Sequence, residues 1–365
     1  MAVASAIDNV QRLLERAAEI GASDLHIEPE GDCVTVRARR DGVLAPLETL
    51  PAEIGPRIVG RLKALADLLA YRTDVPQEGR IAADRSGIGV EIRVATYPTI
   101  LGERVALRLD APDAAALTLD ALGLPAVALA GLRAAMERPD GVVLLTGPSG
   151  SGKTTTLYAC LRHVAARLPR RSIVTVEDPV ERRVPGVTQT QVAPAAGLDF
   201  ARALRSLLRQ DPEVILVGEM RDRETAGIAL EAGLTGHLVA STIHAGTAPQ
   251  VFARLLDMGV EPFVATTAVR GVLAQRLLRR RCTACDRSPV CPACDGTGYR
   301  GRVLVAEWLE TSPALRTAIL ARADGDALAA AAREGGMRSL RDEASALALR
   351  GVTTKDEVDR VLGPG

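Results

Sequence analysis

Residues 141–154 read GVVLLTGPSGSGKT, and this stretch decides the fold of most of the chain. The run GVVLLT is short and continuously aliphatic, which is typical of a strand buried on both faces of a sheet. The glycines that follow let successive backbone N–H groups converge on an anion, and the next helix adds partial positive charge. The pattern predicts a phosphate-binding loop, in which Lys153 reaches the outer phosphates of a nucleotide and the Thr154 hydroxyl ligates magnesium. The predicted nucleotide-binding residues are Gly147, Pro148, Ser149, Gly150, Ser151, Gly152, Lys153, Thr154, Thr155 and Asp178.

Three further aliphatic runs follow the loop, with helical segments between them. They are SIVTVED (172–178), EVILVGE (213–219) and HLVASTIHA (237–245). Strands that alternate with helices predict an α/β fold with a mostly parallel, doubly wound sheet. We therefore expect residues 125–365 to form one phosphate-loop domain that ends in helices over 312–361.

The N-terminal part has a different pattern of apolar and polar residues. Residues 1–22 have helical spacing, and the segment that follows alternates apolar and polar residues around a hairpin turn at Asp41-Gly42. A helix is predicted over 58–72, and two strands are predicted over 89–97 and 103–110. We expect a smaller α+β domain over residues 1–110, joined to the second domain by a linker or short capping helix over 111–124.

Acidic residues follow two of the predicted strands. Glu177 and Asp178 end one run, and Glu219 ends the next. Ligands bind at the carboxyl ends of strands in such sheets, so one carboxylate can polarise the attacking water while another orients magnesium. We favour Glu177 as the base and Glu219 as the residue that holds magnesium or its water. Helix caps or solvated turns remain alternative explanations.

Two of the four histidines, His237 and His244, flank the run LVASTI. Neutral imidazoles near a phosphate loop can hydrogen-bond the γ-phosphate, whereas an isolated histidine is as often a satisfied core or cap residue. Their place after the third strand of the phosphate-loop domain favours the site, and we expect both to contact phosphate or its relay.

Four of the six cysteines form two close pairs within the segment 282–301: Cys282, Cys285, Cys291 and Cys294. Two C-x-x-C pairs supply the four thiolates of a closed tetrahedral zinc site, which has no open position and is therefore structural. Unliganded thiols or a redox pair are the alternatives.

Composition excludes several classes of function. The chain has 365 residues, 45 basic against 45 acidic side chains and 2% aromatic residues. It therefore has neither a net positive field nor many aromatic rings for stacking on bases, and no direct contact with nucleic acid is expected. No apolar run approaches the roughly 20 residues of a membrane span. These features predict a cytoplasmic protein that reaches a membrane only through partners.

Many ordered motifs together resemble the ATPases that power type II secretion and type IV pilus assembly in bacteria. The resemblance runs from ASDLHIEPE at residue 22 to the C-terminal helices. Its main segments are EIRVATYPTILGERVALRL (91–109), GPSGSGKTTTLY (147–158), IVTVEDPVE (173–181), RALRSLLRQDPEVILVGEMRD (202–222), LTGHLVASTIHAGTA (234–248) and CPACDGTGYRGR (291–302).

The resemblance implies a RecA-like ATPase domain preceded by a PAS-like domain, the second N-terminal domain of the family. It implies a cytoplasmic homohexamer that uses ATP, Mg²⁺ and a structural Zn²⁺, with Arg93, Arg104 and Arg108 approaching the phosphates. Its partners would be an inner-membrane platform protein and a recruiting protein of the machine. Type II secretion is the favoured role, while a DNA-uptake pseudopilus or a conjugative, DNA-translocating motor is the alternative.

Overall fold

The computed structural model describes residues 5–109, 118–167, 169–285 and 291–365. The chain divides into two compact units, Met1–Ala114 and Ala115–Gly365. Half of the predicted linker, residues 111–117, lies outside the described residues, as does residue 110 of the last predicted N-terminal strand. The rest of the linker contains a short 3-10 turn, Asp120–Leu122.

The first unit is a six-stranded antiparallel sheet with two helices. Its elements in chain order are α1 (Ala6–Glu19), β1 (Asp24–Pro29), β2 (Cys33–Arg40), β3 (Val43–Pro51), α2 (Gly55–Leu65), β4 (Gln77–Ile81), β5 (Ile92–Thr99) and β6 (Gly102–Leu109). The strand order is β3-β2-β1-β6-β5-β4. Asp41 and Gly42 have positive φ angles at the turn between β2 and β3, where the hairpin was predicted.

Alternation along β5 and β6 divides the sheet into two faces. Val94, Val105 and Leu107 are buried in one core with residues of α1 and α2, such as Leu14 and Ile58. The intervening residues are partly or fully exposed, because side chains alternate between the faces of a strand. This face carries all three arginines that the resemblance singles out.

Helix α2 ends at Leu65, seven residues before the predicted end of the helix. The helix ends here because the completely buried Lys63 takes polar partners from the segment that follows. Its ammonium donates a hydrogen bond to the carbonyl oxygen of Arg72 (2.7 Å) and pairs with Glu103 of β6. A buried charge is tolerated only when it is paired and hydrogen-bonded, so the chain after α2 folds back to supply these partners.

The second unit alternates strands and helices. Its elements are α3 (Ala126–Met136), β7 (Gly141–Thr146), α4 (Lys153–Ala165), β8 (Ile173–Glu177), β9 (Thr188–Gln191), α5 (Phe200–Leu207), β10 (Val214–Val217), α6 (Arg223–Leu234), β11 (Leu238–Ile243), α7 (Ala248–Asp257), α8 (Pro262–Ala268), β12 (Val269–Arg281), β13 (Tyr299–Leu309), α9 (Pro313–Leu320), α10 (Gly325–Glu334), α11 (Leu340–Leu349) and α12 (Lys355–Leu362).

The seven-stranded sheet of this unit has the order β13-β12-β7-β11-β10-β8-β9. All neighbouring pairs are parallel except β12 and β13, so the predicted mostly parallel sheet is present. Every residue of β7 is buried, with Val142 and Leu144 in one core and Val143 and Leu145 in the other. The aliphatic run of β7 follows from this double burial.

The single tryptophan, Trp308 of β13, is held between two glycines. An added Cβ atom would lie 2.1 Å from the Trp308 side chain at Gly131 of α3, and 2.2 Å from it at Gly271 of β12. Any larger residue at either position would displace the indole. The ring therefore depends on the packing of α3 against the β12–β13 hairpin, and its fluorescence reports on the fold of this unit.

The last helix is fastened to β12 by a buried carboxylate. Glu357 of α12 is completely buried; it accepts hydrogen bonds from the backbone N–H (2.9 Å) and the Nε atom (2.8 Å) of Arg279, and from Arg360 Nη2 (2.6 Å). Burial alone would raise the pKa of Glu357, but the hydrogen bonds from Arg360 and Arg279 outweigh it and lower the pKa to about 2. Arg279 also lies over the ring of Tyr299, 4.0 Å from its centroid.

None of the helices in the described ranges has both the length and the apolar character that crossing a bilayer requires.

Replacing Glu357 by Gln should destabilise the protein by about 2 kcal/mol at pH 7, because two arginines lose their anion. A carboxylate with a lowered pKa in the folded state stabilises fully above its ordinary pKa of 4.5, and this contribution is lost as the pH falls toward 2. The difference between wild type and E357Q in urea unfolding should therefore shrink over that range. Glu261 is exposed and paired with Arg322, so E261Q is the matched control and should change stability by less than about 0.5 kcal/mol. An equal loss at pH 7 and at the acid end would contradict the assignment.

Candidate nucleotide site

The predicted phosphate loop connects the end of β7 to the first residue of α4, Lys153. Three of its glycines have positive φ angles: Gly147 (144°), Gly150 (76°) and Gly152 (91°). Residues with a side chain rarely adopt such angles, and a Cβ atom at Gly147 would also lie 2.6 Å from the carbonyl oxygen of Gln275. Glycine is therefore required here, both for the backbone conformation and for the close packing of the loop on β12.

Lys153 bends back over the loop. Its Nζ atom donates hydrogen bonds to the carbonyl oxygens of Gly147 (2.6 Å) and Pro148 (3.0 Å). Burial lowers the pKa of Lys153, attraction to Glu219 opposes this change, and the neighbouring Arg276 lowers the pKa further. A phosphate is a stronger partner for this ammonium than a neutral carbonyl, because a hydrogen bond between two charged groups is roughly twice as strong.

A buried hydroxyl in the loop also fits a phosphate. Ser151 is 3% exposed, and its Oγ atom has no hydrogen-bond partner among the residues that the structure describes. An unpaired buried hydroxyl costs about 1–3 kcal/mol, which a phosphate oxygen in the loop would recover. Thr154, at the start of α4, is exposed, so its hydroxyl is accessible to a metal ion.

Parallel pairing brings the acidic residues and one histidine to the same edge of the sheet as the loop. Strands β8, β10 and β11 all run parallel to β7, so their carboxyl ends share its edge. Glu177 is the last residue of β8, Glu219 lies two residues beyond β10, and His244 directly follows β11. The sequence predictions placed these three residues near the phosphate loop, and the strand order puts them at its edge of the sheet.

Glu219 and His244 lie in close contact. His244 Nε2 lies 2.8 Å from Glu219 Oε1, and Arg221 Nε donates to Glu219 Oε2 at 2.7 Å. The hydrogen bond to Glu219 is the main cause that raises the pKa of Arg221, with a smaller attraction from Asp178. A cavity of about 400 Å³ is lined by Glu219, Met220, Arg221, His244 and Arg254. This pair therefore borders open space in which a substrate and a water molecule fit.

Glu177 has a different environment. It is 4% exposed, and both of its oxygen atoms are already engaged. Oε2 accepts from the Tyr158 hydroxyl (2.5 Å), while Oε1 accepts from Thr175 (2.5 Å) and Gln189 (3.1 Å). Burial, and next the hydrogen bond to Glu177, raise the pKa of Tyr158, which stays a hydrogen-bond donor. These contacts fix the carboxylate in place, and sequence analysis found none of the three donors.

His237 lies at the other end of β11. Its carbonyl oxygen accepts a hydrogen bond from the N–H of Gly141, the first residue of β7 (3.0 Å), and its Nδ1 atom lies 3.1 Å from the carbonyl oxygen of Ala232. An extended strand separates His237 from His244 by roughly 20 Å. The structure therefore does not bring His237 to the edge that carries the phosphate loop, and the contact with phosphate expected from the sequence finds no support in this geometry.

Two further residues contact the loops of the site, and sequence analysis missed both. Gln275 of β12 is completely buried and donates from Nε2 to the carbonyl oxygen of Ser151 (2.8 Å). Arg276 donates from Nη2 to the carbonyl oxygen of Gly246 (2.6 Å), in the loop after His244. The only signal in the sequence is this polar pair inside the apolar run GVLAQRLL.

Arg93, Arg104 and Arg108, the arginines that the resemblance singles out, have two different environments. Arg93 and Arg108 are directly opposite each other on β5 and β6, and Arg80 of β4 is opposite Arg93. A cavity of about 510 Å³ is lined by these three together with Asp24 and Glu78, among others. Like charges directly opposite each other are destabilising, but acidic groups balance part of this row, because Arg80 pairs with Glu91 (3.1 Å) and Asp24 of β1 is opposite Arg108.

Arg104 is engaged differently. Its Nη2 atom pairs with Glu28 (2.8 Å) and lies 3.2 Å from His26 Nδ1. Burial lowers the pKa of His26, and the charge of Arg104 lowers it further.

The four predicted cysteines come together at the tip of the β12–β13 hairpin; residues 286–290 of this segment are outside the described ranges. The four Sγ atoms lie within 4.8 Å of one another, and all four thiols are free. Zinc–sulfur bonds of about 2.3 Å place tetrahedral thiolates about 3.8 Å apart, close to the 3.6 Å between Cys285 and Cys294. Burial raises the pKa of Cys294, but hydrogen bonds from Gly298 and the other thiols lower it to about 7. The donor set and its spacing fit a zinc ion.

Comparison with known proteins identifies the same family that the sequence motifs resemble. The family described as type II/IV secretion system protein matches residues 2–360. The type II secretion system protein HxcR of Pseudomonas aeruginosa is 45% identical, over 98% of this chain and 77% of its own length. The type II secretion system ATPase E of Vibrio cholerae is 41% identical, over 96% and 74%. The type IV pilus assembly ATPase PilB of Thermus thermophilus is 40% identical, but this chain spans only 42% of its length.

Among solved structures, the pilus retraction motor PilT with bound ADP is 26% identical, with a TM-score of 0.65 over 96% of both chains. The ATPase DotB of Legionella pneumophila shares the fold, with a TM-score of 0.73 at 22% identity. The match over nearly the whole chain and the identity to curated members agree with the motifs and with the site, and the chain therefore belongs to the family of type II/IV secretion system proteins.

Proposed function

We propose that this protein hydrolyses ATP to power protein export by a type II secretion machine. The observation that carries the proposal is the position of the Glu219–His244 pair on the same sheet edge as the phosphate loop. In that loop Lys153 bonds backbone carbonyls, and the buried Ser151 hydroxyl has no hydrogen-bond partner among the described residues. The relatives named type II secretion proteins support export as the use of that energy.

The phosphate loop would hold the triphosphate. Its backbone N–H groups and the start of α4 attract the negative charge, Lys153 would pair with the outer phosphates, and Ser151 Oγ would gain its missing partner. Magnesium would be held by Thr154 and, through a bound water, by Glu219, and when bound it neutralises charge on the transferred phosphoryl group. The residues of the chain thereby fix the terminal phosphate for attack by water.

Either Glu177 or Glu219 could take the proton of the attacking water. The sequence favours Glu177, but exposure favours Glu219, because Glu177 is only 4% exposed whereas the side chain of Glu219 is 16% exposed. Glu219 borders the cavity and is electrostatically coupled to Lys153. We infer that Glu219 accepts this proton as the new P–O bond forms and ADP leaves, while His244 orients the carboxylate and Glu177 holds the end of β8 in place.

The remaining parts of the proposal concern assembly. We infer a RecA-like ATPase domain and a PAS-like domain in a homohexamer, in which Arg93, Arg104 and Arg108 stabilise charge on the nucleotide. Arg93 and Arg108 lie in the row described above, whereas Arg104 pairs with Glu28. The protein would act at the cytoplasmic face of the inner membrane through a platform protein and a recruiting protein.

Lys153→Ala should abolish ATP hydrolysis and weaken ATP binding by at least about 100-fold, because the outer phosphates lose their only lysine partner. The measurements are steady-state phosphate release and titration with a fluorescent ATP analogue. In a strain that lacks the gene, K153A should also fail to restore secretion, with piliation and DNA uptake assayed in parallel. Lys355 is exposed at the start of α12, so K355A is the control and should behave as wild type. Normal hydrolysis by K153A would refute the ATPase assignment.

Glu219→Gln should lower kcat by at least about 100-fold while ATP binding changes little, since the amide cannot accept a proton. Glu177→Gln should lower kcat only about 10-fold, because the amide oxygen still accepts part of the hydrogen bonds that fix this position. Single-turnover hydrolysis of pre-bound ATP measures both effects. The reverse order, with E177Q the more defective, would return the role of base to Glu177.

The cysteine cluster should hold one zinc ion per chain by elemental analysis of freshly reduced protein. Replacement of Cys294 by Ser should remove the metal and lower the unfolding temperature, because a structural zinc contributes directly to folding. Cys33→Ser is the control, since Cys33 lies in β2 of the other unit. An absence of zinc from the reduced wild-type protein would rule out the metal site.

A further inference from the structure

Strand β12 carries a polar dipeptide, Gln275-Arg276, that the catalytic scheme above does not use. Gln275 ties the strand to the phosphate loop through its bond to the Ser151 carbonyl, and its own Oε1 atom has no hydrogen-bond partner among the described residues. Uncompensated burial of an amide costs free energy, so this residue is retained for its contact with the loop.

Arg276 fixes the loop after His244 to strand β12, next to the phosphate loop. Its Nη1 atom donates to the carbonyl oxygen of Gln275 (2.9 Å), and its Nη2 atom donates to that of Gly246 (2.6 Å). A Cβ atom at Gly147, the first residue of the phosphate loop, would lie only 3.1 Å from Arg276 Nη1. The guanidinium therefore lies between the phosphate loop and the loop after His244.

The loop after His244 is held a second time, by Glu307 of β13. Glu307 is 2% exposed and accepts hydrogen bonds from the backbone N–H groups of Ala248 (2.5 Å) and Leu340 (2.8 Å). Burial raises the pKa of Glu307, whereas these bonds and the charge of Arg276 lower it. Ala248 begins α7 immediately after the loop, so the segment 244–247 is fixed by Arg276 at Gly246 and by Glu307 at its end.

We propose that Arg276 is a positioning residue for ATP hydrolysis, which fixes the loop 244–247 against the phosphate loop and so sets the distance from the Glu219–His244 pair to the terminal phosphate. This inference rests on the proposed ATPase function. Arginine suits the role because its planar fork holds two donors in a fixed geometry, whereas the donors of a lysine rotate on a flexible stem. A displacement of about 1 Å in a reacting geometry can cost about 100-fold in rate.

Arg276→Gln should lower kcat by about 10- to 100-fold and change KM for ATP by less than about threefold, because the phosphate loop still binds the nucleotide. Arg276→Lys should have an intermediate kcat. The matched control is Arg270→Gln: Arg270 lies in the same strand and pairs with Asp140, at the end of β12 away from the phosphate loop. We expect R270Q to hydrolyse ATP at the wild-type rate. Unfolding followed by Trp308 fluorescence checks that each variant is folded.

A double-mutant cycle tests the route of the effect. If Arg276 acts through the loop of His244, R276Q should lower kcat only slightly in a protein that already carries His244→Ala. The effects of the two substitutions on kcat should then be far from additive. A merely structural role for Arg276 would lower stability but leave this coupling absent.

Four results would overturn the inference. They are a wild-type kcat in folded R276Q, a wild-type kcat in folded R276K, additive losses in the cycle, and a loss confined to KM, which would indicate direct binding of phosphate. Should R276Q fail to fold, the outcome for R276K decides. An absence of ATP hydrolysis by the wild type would overturn the proposed function and this inference together, and is thereby distinguished from failure of the inference alone.

Discussion

Parallel pairing of β8, β10 and β11 with β7 is the constraint on which the candidate site depends. Because parallel strands end at a common edge, residues far apart in the chain meet there without any contact between their own segments. The phosphate loop, Glu219 and His244 come from three different strand ends. The sheet is rigid because its central strands are buried on both faces, so the relative positions of these groups are set by the core.

Electrostatics then distinguish residues that share this edge. Lys153 and Arg276 concentrate positive charge next to the loop, while Glu219 accepts a hydrogen bond from Arg221 and lies 2.8 Å from His244. Glu177 lies at the same edge but is enclosed by hydroxyl and amide donors. Position alone therefore does not assign a role, and the number of donors around each carboxylate separates a group that faces a substrate from one that supports the backbone.

Local signals predicted much of this molecule. The phosphate loop, the aliphatic strands, the hairpin at Asp41-Gly42 and the cysteine pairs are short patterns whose meaning depends on neighbouring residues only. Strand β12 escaped prediction because it is long and ends in arginines, which are partnered by residues distant in sequence, such as Glu357. The early end of α2 likewise follows from the partners of Lys63 across the fold. The sequence contained enough information to place His237 correctly. Six strand residues separate it from His244, so the two histidines lie at opposite ends of β11.

Strand β12 has a structural consequence. The same extended segment touches the phosphate loop at Gln275, is clamped to the last helix at Arg279, and reaches the cysteine cluster directly after Arg281. Paired along its length with β13, it forms a two-stranded ribbon about 20 Å long from Arg276 to Cys282. One continuous strand therefore connects the phosphate loop to the cysteine cluster, and the cluster closes the far end of the ribbon.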